Sequence, residues 1–215
     1  TYNNHFEMSY NSHKPITGRY VWANADIDFV NNAYGNASVF DSVGRAISQT
    51  VNVDGNYDGT FYIGGGIPFF SKMLALYPNV NGGINKNTNF INSQKNNTTS
   101  SNLNVGLDVA IQTDSIEFSI GASYNWNQTE STLNPTSNKP YGSQQYSADL
   151  AWILPYKFIL ETSVSYTINS ERSQGYNINY FLWDTKVSKA FLKNENLIFT
   201  IEANDILNQN INTNR

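Results

Sequence analysis

Between Leu103 and Trp126 apolar and polar residues alternate through two runs, separated by the polar stretch Thr113-Asp114-Ser115. In the first run Leu103, Val105, Leu107, Val109 and Ile111 fall on one face; Asn102, Asn104, Gly106, Asp108, Ala110 and Gln112 fall on the other. In the second, Ile116, Phe118, Ile120, Ala122, Tyr124 and Trp126 alternate with Glu117, Ser119, Gly121, Ser123, Asn125 and Asn127. Side chains on a strand point to opposite faces in turn, so this pattern predicts a β-hairpin with one apolar and one wet face. No residue of the apolar face is charged at neutral pH. Each run has the ~9–11 residues with which a tilted strand crosses a bilayer.

The same unit recurs along the chain. Strands are expected over Tyr2–Asn11 and Arg19–Val30; in the second, Val21, Ala23, Ala25, Ile27 and Phe29 alternate with Tyr20, Trp22, Asn24, Asp26 and Asp28. A loop is expected over Asn31–Gly44 and a long third strand over Arg45–Gly64. The fourth strand, Lys72–Asn85, is weakened by Pro78 and Gly82-Gly83. Lys86–Ser101 and Gln128–Gly142, on either side of the central hairpin, read as polar loops. Strands seven to ten are expected at Ser143–Ile153, Phe158–Asn169, Tyr180–Phe191 and Leu197–Asn208, with turns or loops at Leu154–Lys157, Ser170–Asn179 and Leu192–Asn196.

These strands are about twice the ~5–6 residues usual in soluble sheets. Their connections also alternate: those near 14, 67, 114, 155 and 194 are short or moderate, and those near 37, 93, 135 and 174 are longer and more polar. Short turns at one rim and long loops at the other are the pattern of outer-membrane barrels. Aromatic residues gather toward strand ends, Phe69, Phe70, Trp152, Tyr156, Phe158 and Phe191 on the short-turn side and Tyr124, Trp126, Tyr146 and Tyr166 on the other, as interfacial girdles do.

The expected fold is therefore all-β: about ten up-and-down antiparallel strands of a transmembrane β-barrel in the bacterial outer membrane. Leu103, Val105, Leu107, Val109, Ile111, Phe118, Ile120, Leu160 and Val164 are the candidate lipid-facing residues. Asp108, Glu117, Asp149, Glu161, Lys186 and Glu202 are candidate lumen-facing contacts for a plug or a solute, unless they are simply solvated. Both termini fall at the long-loop rim, whereas a complete single-chain barrel keeps them in the periplasm; the chain reads as a piece of a larger barrel. A soluble β-solenoid or sandwich is the competing reading, and it requires the apolar faces to pack on each other.

Composition removes other classes. A net charge of −4 leaves no basic surface for nucleic acid. No apolar run approaches the ~18 residues of a transmembrane helix. Cysteine is absent, which excludes a disulfide scaffold, Cys-based metal sites and thiol catalysis. The pairs Asp26/Asp28 and Asp54/Asp58 carry groups able to do acid–base work or hold Ca²⁺, but no ligand cluster accompanies them, and they read as wet wall. His5 and His13 are not spaced as a metal pair. Gly64-Gly65-Gly66 lacks the Lys-Ser/Thr that follows a phosphate loop. With no nucleophile beside a base, neither enzyme chemistry nor a cofactor is expected.

Val51-Asn52-Val53-Asp54-Gly55-Asn56-Tyr57 leading to Gly64-Gly65-Gly66-Ile67-Pro68-Phe69, Tyr146-Ser147-Ala148-Asp149-Leu150 with Leu154-Pro155, and Ser188-Lys189-Ala190-Phe191-Leu192-Lys193-Asn194 resemble stretches of the barrel region of TonB-dependent receptor-like outer-membrane proteins of the Bacteroidetes. The clearest is Asn204-Asp205-Ile206-Leu207-Asn208-Gln209-Asn210, similar to the stretch that closes the family's penultimate strand. The resemblance implies that residues 1–215 are the C-terminal part of a plugged barrel of about 22 strands, without its plug, first strands and last strand. It further implies uptake of a bulky solute, with an N-terminal plug, a TonB-type energy-coupling protein, the lipid bilayer and lipopolysaccharide as partners and a surface lipoprotein as a further candidate. The alternative function is a non-transporting barrel that serves as scaffold for a surface lipoprotein, secretion or adhesion complex.

Overall fold

The computed structural model describes residues 1–70, 73–170, 179–192 and 196–209. They form one sheet of twelve strands: β1 (Tyr2–Lys14), β2 (Arg19–Asn31), β3 (Ala33–Phe40), β4 (Ala46–Val53), β5 (Asn56–Phe69), β6 (Leu74–Ile91), β7 (Gln94–Gln112), β8 (Ile116–Ser131), β9 (Tyr141–Leu154), β10 (Phe158–Asn169), β11 (Tyr180–Phe191) and β12 (Leu197–Ala203). Ten strands lie side by side in the order β1-β2-β5-β6-β7-β8-β9-β10-β11-β12, each antiparallel to the next. The sheet is not closed, because β1 and β12 do not pair. Hairpin β3–β4 branches off the path and touches the tip of β6 in parallel, Ala37 opposite Phe90 and Ser38 opposite Ile91.

Alternation places the central hairpin as expected, with Val109 opposite Ile120 and Asp108 opposite Gly121. β10 and β11 coincide with the expected eighth and ninth strands. Elsewhere the structure corrects the expectation. Lys86–Ser101 is not a loop: β6 and β7 run through it as strands of 18 and 19 residues and turn at Asn92-Ser93. Both turn residues have positive φ, 49° and 66°, as a two-residue type I′ hairpin requires. The ladder here joins backbone to backbone between two wet faces, so hydropathy leaves no trace of it. Ser93→Gly removes the Cβ penalty of the left-handed conformation and is expected to stabilise by about 1 kcal/mol, read as a higher urea midpoint in detergent micelles.

The expected loop Asn31–Gly44 contains β3, and the expected strand Arg45–Gly64 is two strands. They part at Asp54-Gly55, where Gly55 has φ 81°. Val51, Val53 and Tyr57 keep their period of two across this corner, which is why alternation runs through it unbroken. The Asp54 carboxylate accepts the Asn32 N–H at 2.7 Å and ties together the two corners where ladder β2–β5 gives way to β3–β4. At the tip of that hairpin the Arg45 backbone N–H and guanidinium hold the Asp41 carboxyl below its ordinary pKa. β1 reaches Lys14 rather than Asn11, and β12 stops at Ala203 rather than Asn208. Residue 72, the start of the expected fourth strand, and residue 71 before it lie outside the described residues. So do 171–178 of the expected loop Ser170–Asn179, 193–195 of the turn Leu192–Asn196, and 210–215.

A single sheet has no interior. Among the described residues only Ala33, Val53 and Ala75 are buried apolar side chains, and no large side chain is fully buried. The accessible surface is 15144 Å², against about 10,000 Å² for a compact 24.1 kDa monomer. The base of β3–β4 is well buried: Ala33 pairs with Val53, and Val53 and the Thr88 carbonyl close around Gly35. Asn96 is buried as well. Asn96 Oδ1 accepts from Ser131 Oγ at 2.9 Å and from the Leu133 N–H at 3.2 Å, fixing the start of the β8–β9 connection.

Candidate functional site

Cross-strand partners share a face, so the register carries alternation across the whole sheet. One rung of the apolar face runs Leu76, Val109, Ile120, Ala148, Val164, Trp183. All nine residues expected to face lipid lie on this side. It is uncovered: Val105 is 42% exposed, Leu107 46% and Ile120 46%. Polar atoms on this side turn inward to the sheet. Trp183 Nε1 donates to Thr162 Oγ1 at 2.9 Å, and the Thr162 and Thr185 hydroxyls donate to the carbonyls of Asp184 and Glu161 at 3.0 and 3.2 Å.

The apolar band has definite borders. On β8 it runs from Ile116 to Trp126, after which Gln128 and Glu130 take the same face; on β6 it runs from Leu74 to Ile84 and ends at Lys86. Ten steps of ~3.4 Å make about 34 Å of strand. Lysines flanked by aromatic rings stand at both borders. Lys86 Nζ lies 5.7 Å from the Tyr57 ring centroid. At the short-turn end Lys189 Nζ lies 4.5 Å from Phe158 and 5.1 Å from Phe191.

The other face is polar. All six residues expected to face a lumen lie here, and the register brings most of them together. Glu117, Ala151, Glu161, Lys186 and Glu202 form one rung, with Asp149, Ser163 and Asp184 on the next rung. Lys186 Nζ pairs with the Glu161 carboxylate at 2.6 Å, and Glu202 flanks it on the far side. These residues line a concavity of about 360 Å³. Asp108 stands apart, next to Gly121, whose missing Cβ leaves room for its carboxylate and for Ser147 Oγ.

Two features of this face were not among the candidates drawn from the sequence. Asp184, which alternation with Trp183 already puts on the wet side of its strand, belongs to the cluster and accepts the Asp205 N–H at 2.7 Å. Through this bond, with Ile206 N–H to the Trp183 carbonyl and the Phe181 N–H to Gln209 Oε1, the Asn204–Gln209 stretch continues alongside β11 past the end of β12. The second feature is an aromatic stack. Trp22 and Tyr62 lie 3.9 Å apart and 10° from parallel above Gly64, which is opposite Trp22.

The acidic pairs separate in the structure. Asp28 meets His5 at 3.0 Å and Asn3 at 2.8 Å, and Asp26 accepts from Thr60 at 2.7 Å. Asp58 accepts from Asn85 at 2.8 Å, while Asp54 sits at the β4–β5 corner. Among the described residues no three of His, Asp and Glu come close enough to hold a metal ion. Between the two acidic regions Asn81, Asn104 and Asn125 link side chain to side chain at 3.2 and 2.5 Å, which gives the abundant asparagine of the wet face a role. Compared with known proteins, the chain matches no family model, no curated protein and no solved structure.

Proposed function

We propose that this chain is part of the wall of a large outer-membrane β-barrel of the TonB-dependent receptor type that its motifs resemble, and that the barrel takes up a bulky solute through a plugged lumen. The observation that carries the reading is the uncovered apolar face. It spans ten strands, carries no residue charged at neutral pH within its borders on β6 to β8, and runs for about 34 Å of strand, which at the ~40° tilt of barrels of this class would stand about 26 Å high, close to their ~25 Å apolar band. In water such a face needs a second layer. In a bilayer it needs none, and the bordering lysines reach toward headgroups as snorkelling side chains do. Backbone groups at the β1 and β12 edges would be satisfied once further strands close the sheet. Beyond the band, β6, β7 and β8 continue with two wet faces, as extracellular extensions would.

The four tryptophans test the placement. Trp126, Trp152 and Trp183 lie on the apolar face and Trp22 on the polar one. In single-tryptophan variants reconstituted into vesicles of brominated phospholipid, the first three are expected to lose most of their emission and Trp22 to keep it. Equal quenching of all four, or none, would overturn the membrane reading. Uptake is separated from the scaffold alternative by peptide mapping of the intact polypeptide extracted from membranes. A plug with a TonB-contact segment is the expected finding, and a full barrel lacking both would leave the scaffold role.

A further inference from the structure

Charge separates by face. The polar face is an acidic wall: in the paired strands it carries ten aspartates and glutamates, and Lys186 is its one lysine or arginine. The apolar face carries six charged residues, and five are cations: Lys14, Arg19, Lys86, Lys95 and Lys189, against Glu130. They stand at or beyond the borders of the apolar band, and the two ends differ. At the long-loop end Lys86 and Glu130 share one rung through Thr99, so charge there is mixed. At the short-turn end Lys14, Arg19 and Lys189 have, among the described residues, no carboxylate beside them on the same face.

Two of these cations are held side by side. Lys14 and Arg19 are the last cross-strand partners of β1 and β2, one rung past Ser12 and Val21. Residues so opposed have Cβ atoms about 4.5–5.5 Å apart. The turn between them is closed by the Gly18 N–H, which donates to the Lys14 carbonyl at 2.8 Å, with Gly18 at φ 69°. Among the described residues no carboxylate pairs with either cation. Glu7, Asp26 and Asp28 of the same two strands lie on the other face. Like charges directly opposed destabilise a ladder. In open water salt screens their repulsion. At the edge of hydrocarbon the effective dielectric is lower and the repulsion grows, so an anion placed between the two is strongly favoured. Next to the pair the face continues along β2 as Val21, Ala23, Ala25 and Ile27, an apolar strip that suits an acyl chain. A zwitterionic headgroup brings its own ammonium along with its phosphate. A phosphatidylglycerol-type headgroup brings net negative charge, and so matches a pair of cations better.

On the barrel reading proposed above, we infer that Lys14 and Arg19 form a binding site for an anionic glycerophospholipid of the short-turn leaflet, with its phosphate between the two cations and an acyl chain along Val21 to Ile27. The test uses the intact polypeptide, purified from its native membrane in non-ionic detergent and freed of lipid. Native mass spectrometry follows its titration with dioleoylphosphatidylglycerol, and with dioleoylphosphatidylcholine as the zwitterionic comparison. Phosphatidylglycerol is expected to bind more tightly. The double variant Lys14→Gln/Arg19→Gln is expected to lose about 25-fold in affinity for it, at about fivefold for each cation beside an anionic headgroup. The exchange Lys14→Arg/Arg19→Lys is expected to keep the affinity. Lys189→Gln, which removes a lone cation held against Phe158 and Phe191, is expected to leave this site unchanged. Thermal melting adds a change of sign. Arg19→Gln relieves repulsion, so its midpoint in pure detergent is expected to equal or exceed the parent's, and to fall below it once phosphatidylglycerol is added. Equal affinity for the two lipids, or a double variant that binds phosphatidylglycerol as the parent does, overturns the inference. So does tighter binding of lipid A that is lost with the same variant, since that lipid belongs to the opposite leaflet. If the tryptophans are quenched as expected and the two phospholipids still bind alike, this inference fails alone and the barrel reading survives.

Discussion

Val109→Arg is expected to cost about 2–4 kcal/mol of folding free energy in a bilayer, and Asp108→Arg, one residue away, much less. Val109 lies on the apolar face between Leu76 and Ile120, well inside the band. An arginine there either leaves its guanidinium in hydrocarbon or thins the bilayer around it. Asp108 points to the polar face beside Gly121, where a long side chain has space and carboxylates for company. Depth supplies a second contrast. Ser101 shares the apolar face with Val109 but lies past Leu103 at the border, so Ser101→Arg is expected to cost only about 0–1 kcal/mol. Urea titrations of folding into phospholipid vesicles measure all three. Equal losses at positions 108 and 109 would mean that the two faces do not have different solvents, and the membrane placement would fall with them.

The strands from β7 to β11 were legible where they cross the apolar band, because there each face has one environment and period two is preserved. What hid from the sequence was structure without contrast between faces. Asn87, Thr88 and Asn89 at the end of β6 are all polar, and their order comes from pairing with Asn96, Asn97 and Thr98. β3 was hidden for a different reason: Gly35, Asn36 and Ser38 read as loop, and their strand is fixed by tertiary contacts with Val53 and the tip of β6. The candidate site divides along the same line. The carboxylates of β7 to β12 could be assigned to one face strand by strand, since these strands are neighbours in sequence and in space. The Trp22–Tyr62 stack could not, because β2 and β5 pair across an inserted hairpin and the sequence between them does not reveal which strands meet.

The register itself can be tested at two glycines. Gly82 on β6 lies on the apolar face between Phe61 and Leu103. A Cβ there would come within 2.7 Å of the Asn102 carbonyl oxygen and 2.8 Å of Phe61 Cε1. The Phe61 ring covers the glycine and can turn aside, but the carbonyl is held in the β6–β7 ladder. Gly82→Ala therefore pushes two strands apart and is expected to cost about 1–3 kcal/mol, as overpacking does. Gly121 is as crowded by distance, yet its neighbours are the ends of Asp108 and Ser147, which can swing away on the open polar face. Alanine also restricts the unfolded chain, worth about 0.4–1 kcal/mol in the opposite direction. Gly121→Ala is thus expected to stay within about 1 kcal/mol of the parent. Adding Phe61→Leu to Gly82→Ala should recover only part of the loss, because the carbonyl remains. If Gly82→Ala proves as harmless as Gly121→Ala, then β6 does not sit against β7 in the register found here, and the rungs that assemble the acidic wall would need to be redrawn from β6 onward.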